Sequence, residues 1–123
     1  MPWTLVRLEL GPTEEFPQGS AARAFCLRIP IDIDGRIEAD LHANAPLHAT
    51  ARCFWPNRPD LTGYVVRKRD GWQMKWRNPS AATSADCWFD NAIFAENAML
   101  KIHGIARSAT PFLVKTIRRG QQL

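Results

Sequence analysis

Polar and apolar residues alternate with a period of two in several short stretches, which is the mark of half-buried β-strands. Thr4-Leu5-Val6-Arg7-Leu8-Glu9-Leu10 reads as one such strand, with Leu5 outside the apolar set. Residues 24–42 read as a hairpin folded at Asp34-Gly35. With a loop of Ile33, Asp34 and Gly35, the pairs are Asp32 with Arg36, Ile31 with Ile37, Ile29 with Ala39, Arg28 with Asp40 and Leu27 with Leu41. Pro30 has no N–H to give a ladder, so this strand is expected at a sheet edge or at a bulge. Residues 64–76 form a second hairpin. A loop of Arg69, Asp70 and Gly71, with Gly71 left-handed, segregates its faces. Tyr64, Val66, Trp72, Met74 and Trp76 then share the core face, with Lys68 by the turn. Val65, Arg67, Gln73 and Lys75 share the other face, with Arg69 and Arg77 at its ends.

The remaining chain continues in short units. Gly11 to Ser20 is a loop rich in Gly, Pro and Glu. Leu47 to Trp55 reads as a strand with Ala49, Ala51, Cys53 and Trp55 on one side. Pro56 to Asp60 is a turn, and Asn78 to Ser84 is a small-residue linker. In residues 85–97, Trp88, Ala92, Ala95 and Met99 fall on a helical stripe that Ser84 can cap. A hairpin at Asp90-Asn91 is the competing reading, and a short helix or irregular segment is preferred. Ala98 to His103 and Phe112 to Arg118 read as a closing strand pair. About seven short strands with little helix predict an all-β fold, a small barrel or sandwich. One domain over residues 3–119 is expected, with 120–123 as a frayed tail.

Composition narrows the class. The chain has 123 residues, 46% hydrophobic and 23% charged, ordinary for a globular domain. No apolar run reaches the ~18 residues of a membrane span. Three widely spaced cysteines suggest reduced thiols and a cytoplasmic protein. The net charge of +4 is uneven. Residues 1–60 carry six Arg against eight acids, whereas residues 61–123 carry ten Lys or Arg against four. That asymmetry points to an anionic partner, a nucleic acid or an acidic protein surface.

Candidate chemistry is sparse. The outward face of the second hairpin, Arg67, Arg69, Gln73, Lys75 and Arg77, is a basic ribbon that Lys115, Arg118 and Arg119 can extend. Such a ribbon can track phosphates, although an ordinary solvated face is the simpler explanation. Cys26 is expected across from His42. His48 and Cys53 point to opposite faces of their strand, so four ligands do not converge and no metal or cofactor is assigned. No serine, cysteine or threonine sits beside a positioned histidine, so no catalytic residue is assigned. The expected function is a non-enzymatic binding or interaction module. One alternative is a small-ligand or enzymatic barrel with a pocket at Trp55 and Trp88, His103 being nearby. The other is a homo-oligomeric structural protein, the acidic half of one copy meeting the basic half of the next.

Five blocks resemble a group of small bacterial proteins, mainly alphaproteobacterial, to which no activity is attached. They are Leu8-Glu9-Leu10, residues 15–20 (Glu-Phe-Pro-Gln-Gly-Ser), Asp34-Gly35-Arg36-Ile37, Arg52-Cys53-Phe54-Trp55-Pro56 and Pro111-Phe112-Leu113-Val114. Members carry a Gly-acid-aromatic or Gly-acid-Val turn before the last strand pair. This chain has Glu96-Asn97-Ala98-Met99 there and departs from the pattern. The resemblance implies one globular domain beginning near residue 3 and no site residue.

Overall fold

Strand β1, Trp3–Leu10, shows how the sheet is built. Thr4, Val6, Leu8 and Leu10 are buried while Trp3, Leu5, Arg7 and Glu9 face outward, the period-two pattern of a half-buried strand. The computed structural model describes residues 3–77 and 87–119. It contains β2 (Ser20–Pro30), α1 (Ala39–Asn44), a 3-10 turn (Pro46–His48), β3 (Thr50–Phe54), β4 (Leu61–Lys68), β5 (Gly71–Trp76), β6 (Cys87–Asp90), β7 (Met99–Ile102) and β8 (Thr110–Arg119). All pairings are antiparallel, in the order β6-β5-β4-β3-β2-β1-β8-β7. The two outer strands then meet. Trp88 and His103 exchange backbone hydrogen bonds of 3.1 and 2.8 Å, and through this one bridge the curled sheet nearly closes into a barrel. The expected all-β fold is therefore found, the barrel rather than the sandwich of the two expected forms, with eight described strands rather than about seven.

The interior is one apolar cluster. Phe25 lies against Trp76 and Phe112 at centroid distances of 6.2 and 5.1 Å, and Phe89 meets Phe94 edge-on. Leu8, Leu27, Ile29, Val65, Trp72, Met74 and Ile102 fill the space between them. Helix α1 closes one end. His42 is 5% exposed, and its Nε2 lies 2.7 Å from the Val65 carbonyl oxygen. A carbonyl can only accept, so Nε2–H is the donor. The His42 ring lies edge-on to Trp72 at 4.8 Å.

Five local expectations are corrected. The β4–β5 register pairs Lys68 with Gly71, Arg67 with Trp72, Val65 with Met74 and Gly63 with Trp76. The loop is Arg69-Asp70, and Gly71 has no positive φ. Trp72, Met74 and Trp76 do face the core, but Leu61, Gly63 and Val65 join them, while Tyr64, Val66 and Lys68 face outward. The reason lies in the neighbouring strands. A Cβ on Gly71 would fall on the Phe89 carbonyl oxygen of β6, and one on Gly63 on the Lys75 carbonyl oxygen. These glycines permit close strand approach rather than a left-handed turn.

The first hairpin matches expectation at its tip and departs from it in its second arm. Ile31 bridges Ile37, Gly35 is left-handed with φ 84°, and the Asp32 carboxylate accepts from the Asp34 and Arg36 N–H groups. After the Glu38 N–H closes on the Pro30 carbonyl, the chain enters α1 instead of a strand. Ala45 precedes Pro46 and leaves the helical region, which ends α1 there. Pro30 is the last residue of an interior strand, where a missing N–H costs little. The short helix thus lies at residues 39–44, not near 85–97, where β6 is followed by irregular chain. Finally, the 47–55 strand begins only at Thr50, with Ala49 and Ala51 buried as expected. The expected linker at 78–84, the Ser84 cap and the tail at 120–123 lie outside the described residues.

Candidate anion-binding cleft

The outward face of β8, β1, β2 and β3 carries four arginines at alternate positions. Arg118, Leu5 and Arg28 lie side by side in one cross-strand row, and Thr116, Arg7, Cys26 and Arg52 in the next. With strands ~4.8 Å apart, the backbones of Arg28 and Arg118, two strands apart, are ~10 Å from each other. Short side chains fill the squares between the long ones. Leu5, Cys26, Thr50 and Thr116 therefore floor a cleft of about 370 Å³ walled by Arg7, Arg28, Arg52 and Arg118, with Phe54 at its side.

Each guanidinium is held differently. Arg7 donates from Nε to Glu9 at 2.8 Å, from Nη2 to the Ala21 carbonyl at 3.1 Å and from Nη1 to the Cys26 sulfur at 3.8 Å. The Glu9 hydrogen bond raises the Arg7 pKa above its already high ordinary value. Arg52 lies 3.9 Å from Asp60 and 5.1 Å from the Phe54 ring centroid. Arg28 donates to the His48 carbonyl at 3.0 Å and rests over Trp3 at 4.8 Å. Neither Arg28 nor Arg118 forms a salt bridge among the described residues. The cleft thus sets four guanidinium groups against two carboxylates. Its apolar floor lowers the local dielectric, which strengthens their pull on an anion.

The residues singled out from the sequence are scattered. Arg67 is an exposed residue on the core-facing side of β4, its guanidinium 4.8 Å from the Trp72 ring, so it does not share a face with Gln73 and Lys75. Arg69 is in the turn, and Arg77 follows β5. Lys115 sits in the β8 bulge opposite β1, and Arg119 pairs with Thr4. Around the barrel, β5 is separated from β8 by four strands on one side and two on the other. The ribbon and its expected extension are therefore not one surface, and only Arg118 of the eight lines the cleft. Trp55 lies between Arg23 and Arg58, each 5.7 Å from its ring, at the β2–β3 end. Trp88 stacks on His103 at 5.1 Å across the β6–β7 seam, with the Lys68 ammonium 4.1 Å from its ring and Asp90 4.0 Å from His103. Cys26 faces Arg7 and Arg52 rather than His42.

Sequence reasoning misses Arg7, Arg28 and Arg52 because they come from the half of the chain that is acidic on balance. The available signal is their outward register in three strands. No protein-family model, curated protein or solved structure matches the chain. No helix among the described residues is long and apolar enough to cross a membrane.

Proposed function

We propose that the protein is a binding module for an anionic partner and that the arginine cleft, not the β4–β5 ribbon, is its contact surface. The observation carrying this reading is the convergence of four arginines from four strands on one concave patch, two of them in salt bridges to acids among the described residues. A convex ribbon of scattered cations offers solvated point charges, whereas a floored cleft desolvates its ligand and presents planar guanidinium forks.

The test is anisotropy titration of a labelled single-stranded oligonucleotide and a labelled polyglutamate peptide at two salt concentrations. The Arg28→Gln/Arg118→Gln and Arg69→Gln/Lys75→Gln double variants are compared. The cleft pair is expected to weaken binding of whichever probe binds, and to flatten its salt dependence. For a single-stranded nucleic acid the slope falls by ~0.7 for each phosphate that is no longer neutralised. Binding that only the ribbon pair weakens, or no binding at low salt of either polymer or of any small anion, overturns the reading.

A further inference from the structure

The cleft has a shape and a charge count that narrow the anion it takes. Glu9 and Asp60 compensate two of its four arginines, which leaves Arg28 and Arg118 carrying about two positive charges in excess. These two flank Leu5 in a single cross-strand row, Arg118 against Leu5 on β8 and Arg28 against Leu5 on β2. A ligand above Leu5 therefore lies between the two residues, with Arg118 on one side and, on the other, Arg28, whose guanidinium also holds the His48 carbonyl and rests over Trp3.

A carboxylate has one charge and two coplanar oxygens, which one arginine fork satisfies. A phosphomonoester carries between about −1.5 and −2 at neutral pH and three acceptor oxygens in a pyramid, which suits two forks arriving from different directions. The rest of the cleft is not built for charge. Leu5, Cys26 and Phe54 offer apolar surface, and Thr50 and Thr116 add two uncharged hydroxyls. The volume of about 370 Å³ lies at the small end of ligand sites, which run from about 300 to 1,000 Å³. That suits one flat organic group rather than a length of polymer.

Resting on the anion-binding reading above, we propose that the cleft binds a phosphomonoester attached to a single flat, largely apolar group. The phosphate lies between Arg28 and Arg118 over Leu5, and the organic group covers Cys26 and Phe54. Arg7, fixed by Glu9, the Ala21 carbonyl and the Cys26 sulfur, serves as a wall of constant position. The same chemistry occurs in a free mononucleotide and in the 5′-phosphorylated end of a single strand.

Cys26 supplies a reporter placed within the cleft itself. It is half-buried, whereas Cys87 is buried and Cys53 carries a thiol that burial holds protonated. The rate of Cys26 alkylation by iodoacetamide, read by peptide mass spectrometry in phosphate-free buffer, is measured with phenyl phosphate, a nucleoside 5′-monophosphate, inorganic phosphate, benzoate and phenol. Phenyl phosphate and the mononucleotide are expected to slow labelling at concentrations about tenfold below those needed of phosphate or benzoate, with phenol inert. Replacing Arg118 by Gln should raise the concentration required by roughly 10-fold or more, since a hydrogen bond to a charged group is worth ~1.5–3 kcal/mol, and Arg69→Gln should leave it unchanged.

Protection by 5′-phosphorylated but not by unphosphorylated oligonucleotide supports the terminal phosphate as a source, and protection by the mononucleotide alone supports the free ligand. Equal potency of inorganic phosphate or benzoate with phenyl phosphate overturns the phosphomonoester proposal and leaves the anion reading standing. Absence of protection by every anion, with the oligonucleotide and peptide titrations also negative, removes both.

Discussion

Replacing His42 by Ala tests how α1 holds the barrel. Strand β3 begins at Thr50, paired with Tyr64, so Val65 lies one residue past the end of that ladder. Its N–H is satisfied by the Ala49 carbonyl at 2.8 Å, and its carbonyl by the His42 Nε2–H at 2.7 Å. The imidazole thus takes the place of a missing strand residue. Val65 is fully buried, so truncation leaves a carbonyl without a partner, at a cost of ~1–3 kcal/mol. Removing the edge-on packing against Trp72 adds ~0.5–1.5 kcal/mol, and the void left by a buried ring adds to both. The expected total is ~3–5 kcal/mol, a large part of the ~5–15 kcal/mol that holds a domain together. Urea unfolding followed by tryptophan fluorescence measures it. His42→Leu fills most of the space yet still orphans the carbonyl, so it should cost ~1–3 kcal/mol. His42→Gln can donate to that carbonyl and should lie closest to the unmodified protein. A His42→Ala cost below ~1 kcal/mol, or a His42→Leu variant as stable as the parent, would refute the strand-substitute role.

Three further outcomes follow from particular contacts. Gly71→Ala should destabilise by ~2–3 kcal/mol, because its Cβ meets the β6 backbone, whereas Asp70→Gly should change stability by under ~1 kcal/mol; thermal unfolding of the two variants compares them directly. Asp32→Ala removes a carboxylate that accepts at 2.9 and 3.0 Å from two turn N–H groups, and should cost ~1 kcal/mol by urea titration. Burial, the largest cause, with the nearby Cys87 adding to it, pushes the Cys53 thiol up to about 12. At about pH 8 its thiolate fraction is ~10⁻⁴, so iodoacetamide should modify Cys26 well before Cys53. The sign of the linked stability change is fixed: between the unfolded value near 9.0 and about 12, the folded chain binds more protons at Cys53 than the unfolded chain. This contribution is therefore intact below about pH 9 and lost as pH rises toward about 12, which alkaline urea titrations of Cys53→Ala and the parent separate.

Much of the fold was legible where a local pattern had one solution. The alternation of β1, the Ile31–Ile37 turn and the β7–β8 pairing all follow from residues within one or two strands of each other. The misreadings share a cause of another kind. Ala39-Asp40-Leu41-His42 continues the alternation of a hairpin arm and also makes a helical turn, and only the need to cap Val65 and cover Trp72 decides between them. At Gly71 the local turn rule and the tertiary demand compete. Segregation of Tyr64 and Val66 with the indoles favours a left-handed Gly71. The approach of β6 instead requires the glycine in the ladder, and pairing of Gly63 with Ala51 sets Val65 inward.

The cleft was illegible for a stricter reason. Charge averaged along the chain points to the second half, because averaging weighs neighbours in sequence. A ligand instead meets neighbours across strands, and the β8-β1-β2-β3 order brings Arg118 beside Leu5, from the opposite end of the chain. What sets the cleft apart is not the charge alone. Arg7 and Arg52 are matched by acids, and Lys75 and Arg69 are as cationic as Arg28. The difference is that Leu5, Cys26 and Thr116 are short where their cross-strand neighbours are long, so positive charge surrounds a floor instead of crowning a ridge. An electrostatic patch becomes selective when its shape limits what can approach it. Filling the floor is therefore a sharper probe than removing a charge. Cys26→Trp keeps all four arginines and should abolish phenyl phosphate binding, read by calorimetric titration of the variant beside the parent. Unchanged binding would show that charge without shape suffices.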